Sequence, residues 1–238
     1  MVIDSYVFTN TGGRSYNEDY VEIKKHKNNA LFALADGLGG HQHGELASKC
    51  VVETLINSFP EKFETDVEDW LEKNLLEANE KIISIQEEKS AVIKTTAVAL
   101  IIDDKNAKWT HIGDSRLYYL HNNSISSITE DHSVAYKKYK AGEITRDEIA
   151  TDEDQSRLIR SLGSERCTPV FDNAEVCKGD GFLLCSDGMW EYIFDEEILV
   201  DFLKADSAEN WGELMLMRVM ERIPDDSDNL SLITVFIT

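Results

Sequence analysis

Disulfides, zinc and the membrane are excluded first by what the chain lacks. Its four cysteines, Cys50, Cys167, Cys177 and Cys185, are few and unevenly spaced for 238 residues, and no CxxC pair occurs. That pattern argues for reduced thiols, with Cys185 in the run Phe182-Leu183-Leu184-Cys185 acting as a small buried hydrophobe. No apolar run approaches the ~20 residues of a bilayer span. The start, Met1-Val2-Ile3-Asp4, carries neither a basic stretch nor an apolar signal core, so the cytoplasm is the expected compartment. Basic residues are also scarce, 24 Lys and Arg against 45 Asp and Glu, for a net charge of -21. Such a field repels DNA, RNA and anionic lipid, and no nucleic acid or membrane partner is expected. No proline-rich linker, composition break or repeat divides the chain, so a single domain over residues 1–238 and a monomer are the expectation.

What is there begins with Leu31-Phe32-Ala33-Leu34-Ala35-Asp36-Gly37-Leu38-Gly39-Gly40. An apolar strand ends on one carboxylate and a glycine loop, where positive φ and close approach would let a ligand reach carbonyl as well as carboxylate. Strands are expected over Ile3 to Thr9 and Tyr20 to Ile23, with the polar loop of Arg14, Glu18 and Asp19 between them. Apolar stripes at helical spacing predict helices over Gly44 to Ser58 and Asp66 to Glu88. Short β-branched runs, Thr95 to Asp103, Ala107 to Ile112, Arg116 to His121 and Ser124 to Thr129, read as an antiparallel meander. Residues 133–160 turn polar and charged, as in an exposed flap, with a helix start at Thr145-x-x-Glu148. Gly181 to Ser186 repeats the strand-to-acid design at Asp187. Helices over Asp195 to Lys204 and Ala208 to Glu221 and a last strand over Leu230 to Ile237 complete the reading.

Acids in tight turns or at strand ends thus recur at Glu18, Asp19, Asp36, Asp114, Asp187 and Asp228. Singly each is an ordinary turn acid; jointly, without basic neighbours in sequence, they suggest convergence on hard cations, which prefer oxygen ligands. His111 and Trp109, alternating before Gly113, read as core residues with a satisfied ring nitrogen. The acidic turn Asp225-x-Ser227-x-Asn229 is no calcium loop, since Leu230 and Phe236 stand where that loop needs glycine and glutamate.

Six motifs occur in an order that resembles the metal-dependent serine/threonine protein phosphatases of type 2C, in their compact bacterial form. They are Arg14-x-x-Asn17-Glu18-Asp19, Ala35-Asp36-Gly37-Leu38-Gly39-Gly40, Gly113-Asp114-Ser115-Arg116, Asp131-His132-Ser133, Ser186-Asp187-Gly188-Met189-Trp190 and Asp228-Asn229. The resemblance implies an α+β fold, two packed antiparallel sheets flanked by helix pairs in four layers. It implies Mn²⁺ or Mg²⁺ as cofactor: Asp36 bridging two ions, Asp187 and Asp228 completing one site, Glu18 and the Gly37 carbonyl the other, and Asp114 with Asp187 forming a third. Asp19 would orient water and Arg14 would grip the substrate phosphate. The implied reaction is hydrolysis of phosphoserine and phosphothreonine in proteins phosphorylated by a serine/threonine kinase. A small-phosphoester hydrolase would use the same metals, and a regulatory binding module of the same fold would be expected to have lost metal acids, which this chain keeps. Some relatives place a histidine after the central Asp-Gly as general acid; Leu38 stands here, which leaves His41 and His43 as the nearest substitutes.

Overall fold

The computed structural model of the protein describes all residues except 28 and 40–42. In chain order its elements are β1 (Ile3–Asn10), β2 (Asp19–Lys25), β3 (Asn29–Gly39), α1 (Gly44–Ser58), α2 (Val67–Lys89), β4 (Ile93–Thr95), β5 (Ala97–Asp103), β6 (Asn106–Ile112), β7 (Arg116–His121) and β8 (Ser124–Ile128). There follow α3 (Val134–Lys140), a 3₁₀ turn (Asp147–Thr151), β9 (Val170–Glu175), β10 (Gly181–Cys185), α4 (Asp187–Trp190), α5 (Asp195–Lys204), α6 (Ala208–Met220) and β11 (Leu230–Ile237). One antiparallel sheet runs β1-β11-β10-β7-β8 and the other β2-β3-β5-β6-β9, with β4 paired to β3.

The period of two along each strand decides the layers. In β3, Leu31, Ala33 and Ala35 face α1 and α2 and pack with Val51, Leu55, Leu71 and Leu75. Their alternates Ala30, Phe32 and Leu34 meet Phe182, Leu184, Ile233 and Val235 of the opposite sheet. The outer face of that sheet, Tyr118, Leu120, Leu183 and Leu232, is covered by Trp211 and Met215 of α6 and Phe202 of α5. Three apolar layers between four layers of secondary structure give the expected αββα sandwich.

Three expectations need correction. β3 does not stop at Asp36: it continues to Gly39 and pairs Gly37 with Thr95 and Leu38 with Lys94. Gly37 and Gly39 are not among the glycines of positive φ. Gly37 is required for space, because a Cβ there would run into the Gly44 and Glu18 carbonyls. The meander is also broken, since β6 lies in one sheet and β7 in the other. Gly113, at φ +104°, turns the chain between them with Asp114 on the crossing. Finally, Thr145 does bond to Glu148, its N–H and hydroxyl donating to Oε2 at 2.7 and 2.9 Å, but the product is the 3₁₀ turn. Sequence reading also missed α3, α4 and β9, each too short to set up a period.

The charged segment over residues 133–160 is tied down at both ends. Val134 N–H donates to the Arg157 carbonyl at 2.9 Å and Ile159 N–H to that of His132 at 2.8 Å. Its own Ala135, Tyr136 and Ile149 are buried in the core. All four cysteines are free thiols, and Cys185 is buried.

Candidate metal centre

The layer between the sheets is apolar along its length and polar at one end. On β3 the inward parity Ala30, Phe32, Leu34 leads next to Asp36. On β2, Val21 and Ile23 share that layer and Asp19, of the same parity, is the register partner of Asp36. By the same count β5 begins after Thr96, β7 begins after Ser115, β10 leads to Ser186 and β11 carries Ser231 at its start. Hydrogen bonds join these ends. Ser186 Oγ donates to Asp19 Oδ2 at 2.8 Å, Ser231 N–H donates to Ser186 Oγ at 3.1 Å, and the Thr96 and Ser115 hydroxyls meet at 2.7 Å. The Asp36 backbone is clamped on both sides, its N–H donating to Thr96 Oγ1 at 2.9 Å and its carbonyl accepting from Thr95 Oγ1 at 2.7 Å.

Two more acids arrive from loops. Asp187 opens α4, with Oδ1 accepting from Gly188 N–H at 2.7 Å; Asp228 precedes β11, with Oδ1 accepting from Asn229 N–H at 2.8 Å. Asn229 then ties the first loop to the last strand. Its Oδ1 accepts from Glu18 N–H at 2.7 Å, while its Nδ2 donates to the Thr11 and Tyr16 carbonyls at 2.9 Å. Asp114 is fixed through its carbonyl, which accepts from Trp190 Nε1 at 2.9 Å.

Burial and mutual repulsion dominate the electrostatics. Desolvation, then Asp187, Asp19, Asp114 and Asp228, push Asp36 well above the usual carboxylate range. Burial, then Asp187 and Asp131, do the same to Asp114, and burial with Asp228 raises Asp187. Asp19 is pushed up to about 7, chiefly by burial, and its Oδ1 is buried without a partner among the described residues. Burial and like charge thus raise several of these carboxylates, a cost that a bound cation would relieve.

The sequence-predicted residues are therefore gathered, but two of them have other partners. Glu18 Oε1 accepts from Gly44 N–H at 2.9 Å. Asp228 receives the guanidinium fork of Arg14, Nε to Oδ1 at 3.2 Å and Nη2 to Oδ2 at 2.9 Å. Accordingly, among the described residues no three His, Cys, Asp or Glu side chains enclose a common point. The donor set nonetheless fits a hard divalent ion: it is all oxygen and carboxylate-rich, and Asp228 alone of its acids has a cationic side chain bonded to it among the described residues. His41 lies outside the described residues; His43 occupies the N-cap position of α1 without a side-chain cap bond. Glu191 escaped sequence reading. Half-buried, it is raised to about 8 by burial, Asp187 and Asp228. Its spacing of four from Asp187 at a helix start was the available signal.

Comparison with known proteins defines the class first. The structure superposes on the serine/threonine phosphatase Stp1 from Staphylococcus aureus with a TM-score of 0.89 at 28% identity, covering 100% of this chain and 96% of that one. It superposes on the catalytic domain of the phosphatase PstP in complex with two manganese ions with a TM-score of 0.86 at 27% identity, covering 99% of each chain. In sequence, the serine/threonine phosphatase stp of Listeria welshimeri is 33% identical over 200 residues, 81% of this chain and 79% of the relative. The protein phosphatase 2C family model matches residues 11–215. The chain belongs to that family, and it is an enzyme for metal-dependent hydrolysis of phosphoserine and phosphothreonine in proteins.

Proposed function

We propose that Asp36, Asp187 and Asp228, with Glu18 and the Gly37 carbonyl, hold two Mn²⁺ or Mg²⁺ ions with Asp36 bridging, and that Asp114 with Asp187 holds a third. The observation that carries this reading is that burial and neighbouring carboxylates push Asp36, Asp114 and Asp187 all upward, with Asp187 raising both of the others. When bound, the ions supply Lewis acidity toward the phosphoryl oxygens and an acidified water for in-line displacement at phosphorus.

The protein's own residues do the rest. Asp19, held at Oδ2 by Ser186 and with Oδ1 unpartnered among the described residues, would orient the attacking water. Arg14 is paired with Asp228; with a cation held by Asp228 that pairing would no longer be needed, and the planar fork of Arg14 would be free to hold two phosphate oxygens. The net charge of -21 repels a phosphoprotein at long range, so the ions and Arg14 reverse the sign inside the cleft. Residues 1–238 act as one catalytic unit, a monomer, on proteins phosphorylated by a serine/threonine kinase in the cytoplasm. Among the described residues no helix is long and apolar enough to cross a membrane.

The test is turnover of phosphothreonine peptide, phosphotyrosine peptide and p-nitrophenyl phosphate by the purified chain, with Mn²⁺ and then with EDTA. Phosphothreonine turnover that needs Mn²⁺ is expected. Full turnover after chelation would refute the metal reading, and turnover confined to p-nitrophenyl phosphate would favour a small-phosphoester substrate.

A further inference from the structure

Behind the Gly113-Asp114 turn lies a cavity of about 390 Å³ that the reaction does not use. It opens between the end of β6, residues 127–132, α3 and the return segment at Arg160. A space of that size falls in the range of small-ligand pockets. Its wall is aromatic: Trp109, Tyr136 and Phe171, with the rings of His111 and His132 stacked at 4.5 Å and 12°.

The two histidines differ in what they have left to offer. His111 is the satisfied core histidine that its sequence setting suggests, its Nε2 bonded to the Glu130 carbonyl at 2.8 Å. His132 receives the Gly113 N–H on Nδ1 at 3.1 Å, which places the proton of the neutral ring on Nε2. That Nε2 faces Arg160 Nη1 at 3.5 Å. Two donors meet there, and a guanidinium has no lone pair to give. The missing partner is an acceptor.

Charge around the cavity points the same way. Of its acids, Glu130 is engaged by Lys140 at 2.6 Å and Asp131 by the Arg116 fork at 2.9 and 2.7 Å. Asp172 is exposed, and its Oδ1 accepts from Asn173 N–H at 2.8 Å. Arg160 and the exposed Lys137 form no ion pair among the described residues. On a strongly acidic protein this is a local excess of positive charge over an aromatic wall. We propose that the cavity is a binding site for a small aromatic carboxylate, its ring against the His111–His132 stack and its two oxygens between His132 Nε2–H and the Arg160 guanidinium. A carboxylate presents two acceptors in one plane, which a guanidinium fork and one further N–H can share.

The test is calorimetric titration of naphthoate, with the neutral isostere naphthamide as control, into the full chain loaded with Mg²⁺. Naphthoate is expected to bind about tenfold or more tightly than naphthamide, and Arg160→Met is expected to remove about that factor. Asp36→Asn, which alters the metal centre, is expected to leave naphthoate binding unchanged. Equal affinity for the two probes, no binding of naphthoate, or loss in Asp36→Asn with none in Arg160→Met would overturn the site. If circular dichroism shows Arg160→Met unfolded, the exposed Lys137→Met replaces it. A fewfold loss of naphthoate affinity there supports the site, and unchanged affinity overturns it.

Discussion

Asp131 and Asp114 are almost equally buried, 4% and 5% exposed, and both lie near Arg116, yet the protein treats them oppositely. Asp131 receives both arms of the Arg116 guanidinium, which is itself stacked on Trp190 at 3.5 Å. Among the described residues no cationic side chain is bonded to Asp114, Asp36 or Asp187. A buried charge is costly unless paired, so one carboxylate carries its counterion permanently in the sequence, while the proposed metal ligands would take theirs from solution. The first arrangement is structural and the second exchangeable, which is what a cofactor requires.

Breaking each side of this comparison should have opposite consequences. The largest effect is expected on activity: Asp36→Asn should lower turnover of a phosphothreonine peptide with Mn²⁺ by about a thousandfold or more, since even one preorganised group is worth about 10²–10³ in kcat. Arg116→Met should instead destabilise the fold by about 3–5 kcal/mol, because it leaves Asp131 buried and alone. For a chain of this size that is a drop in melting temperature of roughly 10 °C, measurable with and without metal. Asp36→Asn should move the other way in the metal-free protein, raising the melting temperature by a few degrees, as repulsion among the acids is relieved.

The pH dependence sharpens the contrast. Acids raised in the folded state hold protons that the unfolded chain has already released. Metal-free stability should therefore be fully present below the ordinary carboxylate range and fall as pH rises through the folded values, about 7 for Asp19 and about 8 for Glu191. Melting curves in EDTA between acid and weakly alkaline pH should show this decline, and Mn²⁺ should flatten it. Glu197 has the opposite sign: Arg222, then its other contacts, holds it at about 2, so its contribution is present above the usual glutamate range and is lost only as pH falls toward 2. The smallest effect belongs here, at most about 1 kcal/mol for Glu197→Gln in a denaturant titration at neutral pH, because the pair is partly exposed.

The long helices and the terminal strands were legible because amphipathic periods over many residues leave little choice; α1 and α5 have the bounds their sequences predict. The acids were legible through their glycine and serine neighbours, and the stacking of layers only through family resemblance. Other features lay beyond local pattern. β3 runs past Asp36 because β4, more than fifty residues on, supplies a partner for Gly37 to Gly39. The crossing from β6 to β7 depends on which sheet has room for each strand. The Arg14–Asp228 pair joins residues at opposite ends of the chain, and the donor that His132 presents beside the cavity is set by a tautomer that a backbone N–H selects.

The bridging role of Asp36 is tested most directly by titrating Mn²⁺ calorimetrically into chelator-stripped wild-type protein and Asp36→Asn, with Asp114→Ala as reference. Wild type should show two tight ions, Asp114→Ala should keep both, and Asp36→Asn should lose both at once, since one carboxylate serves the pair. Two tight ions remaining in Asp36→Asn would contradict the account.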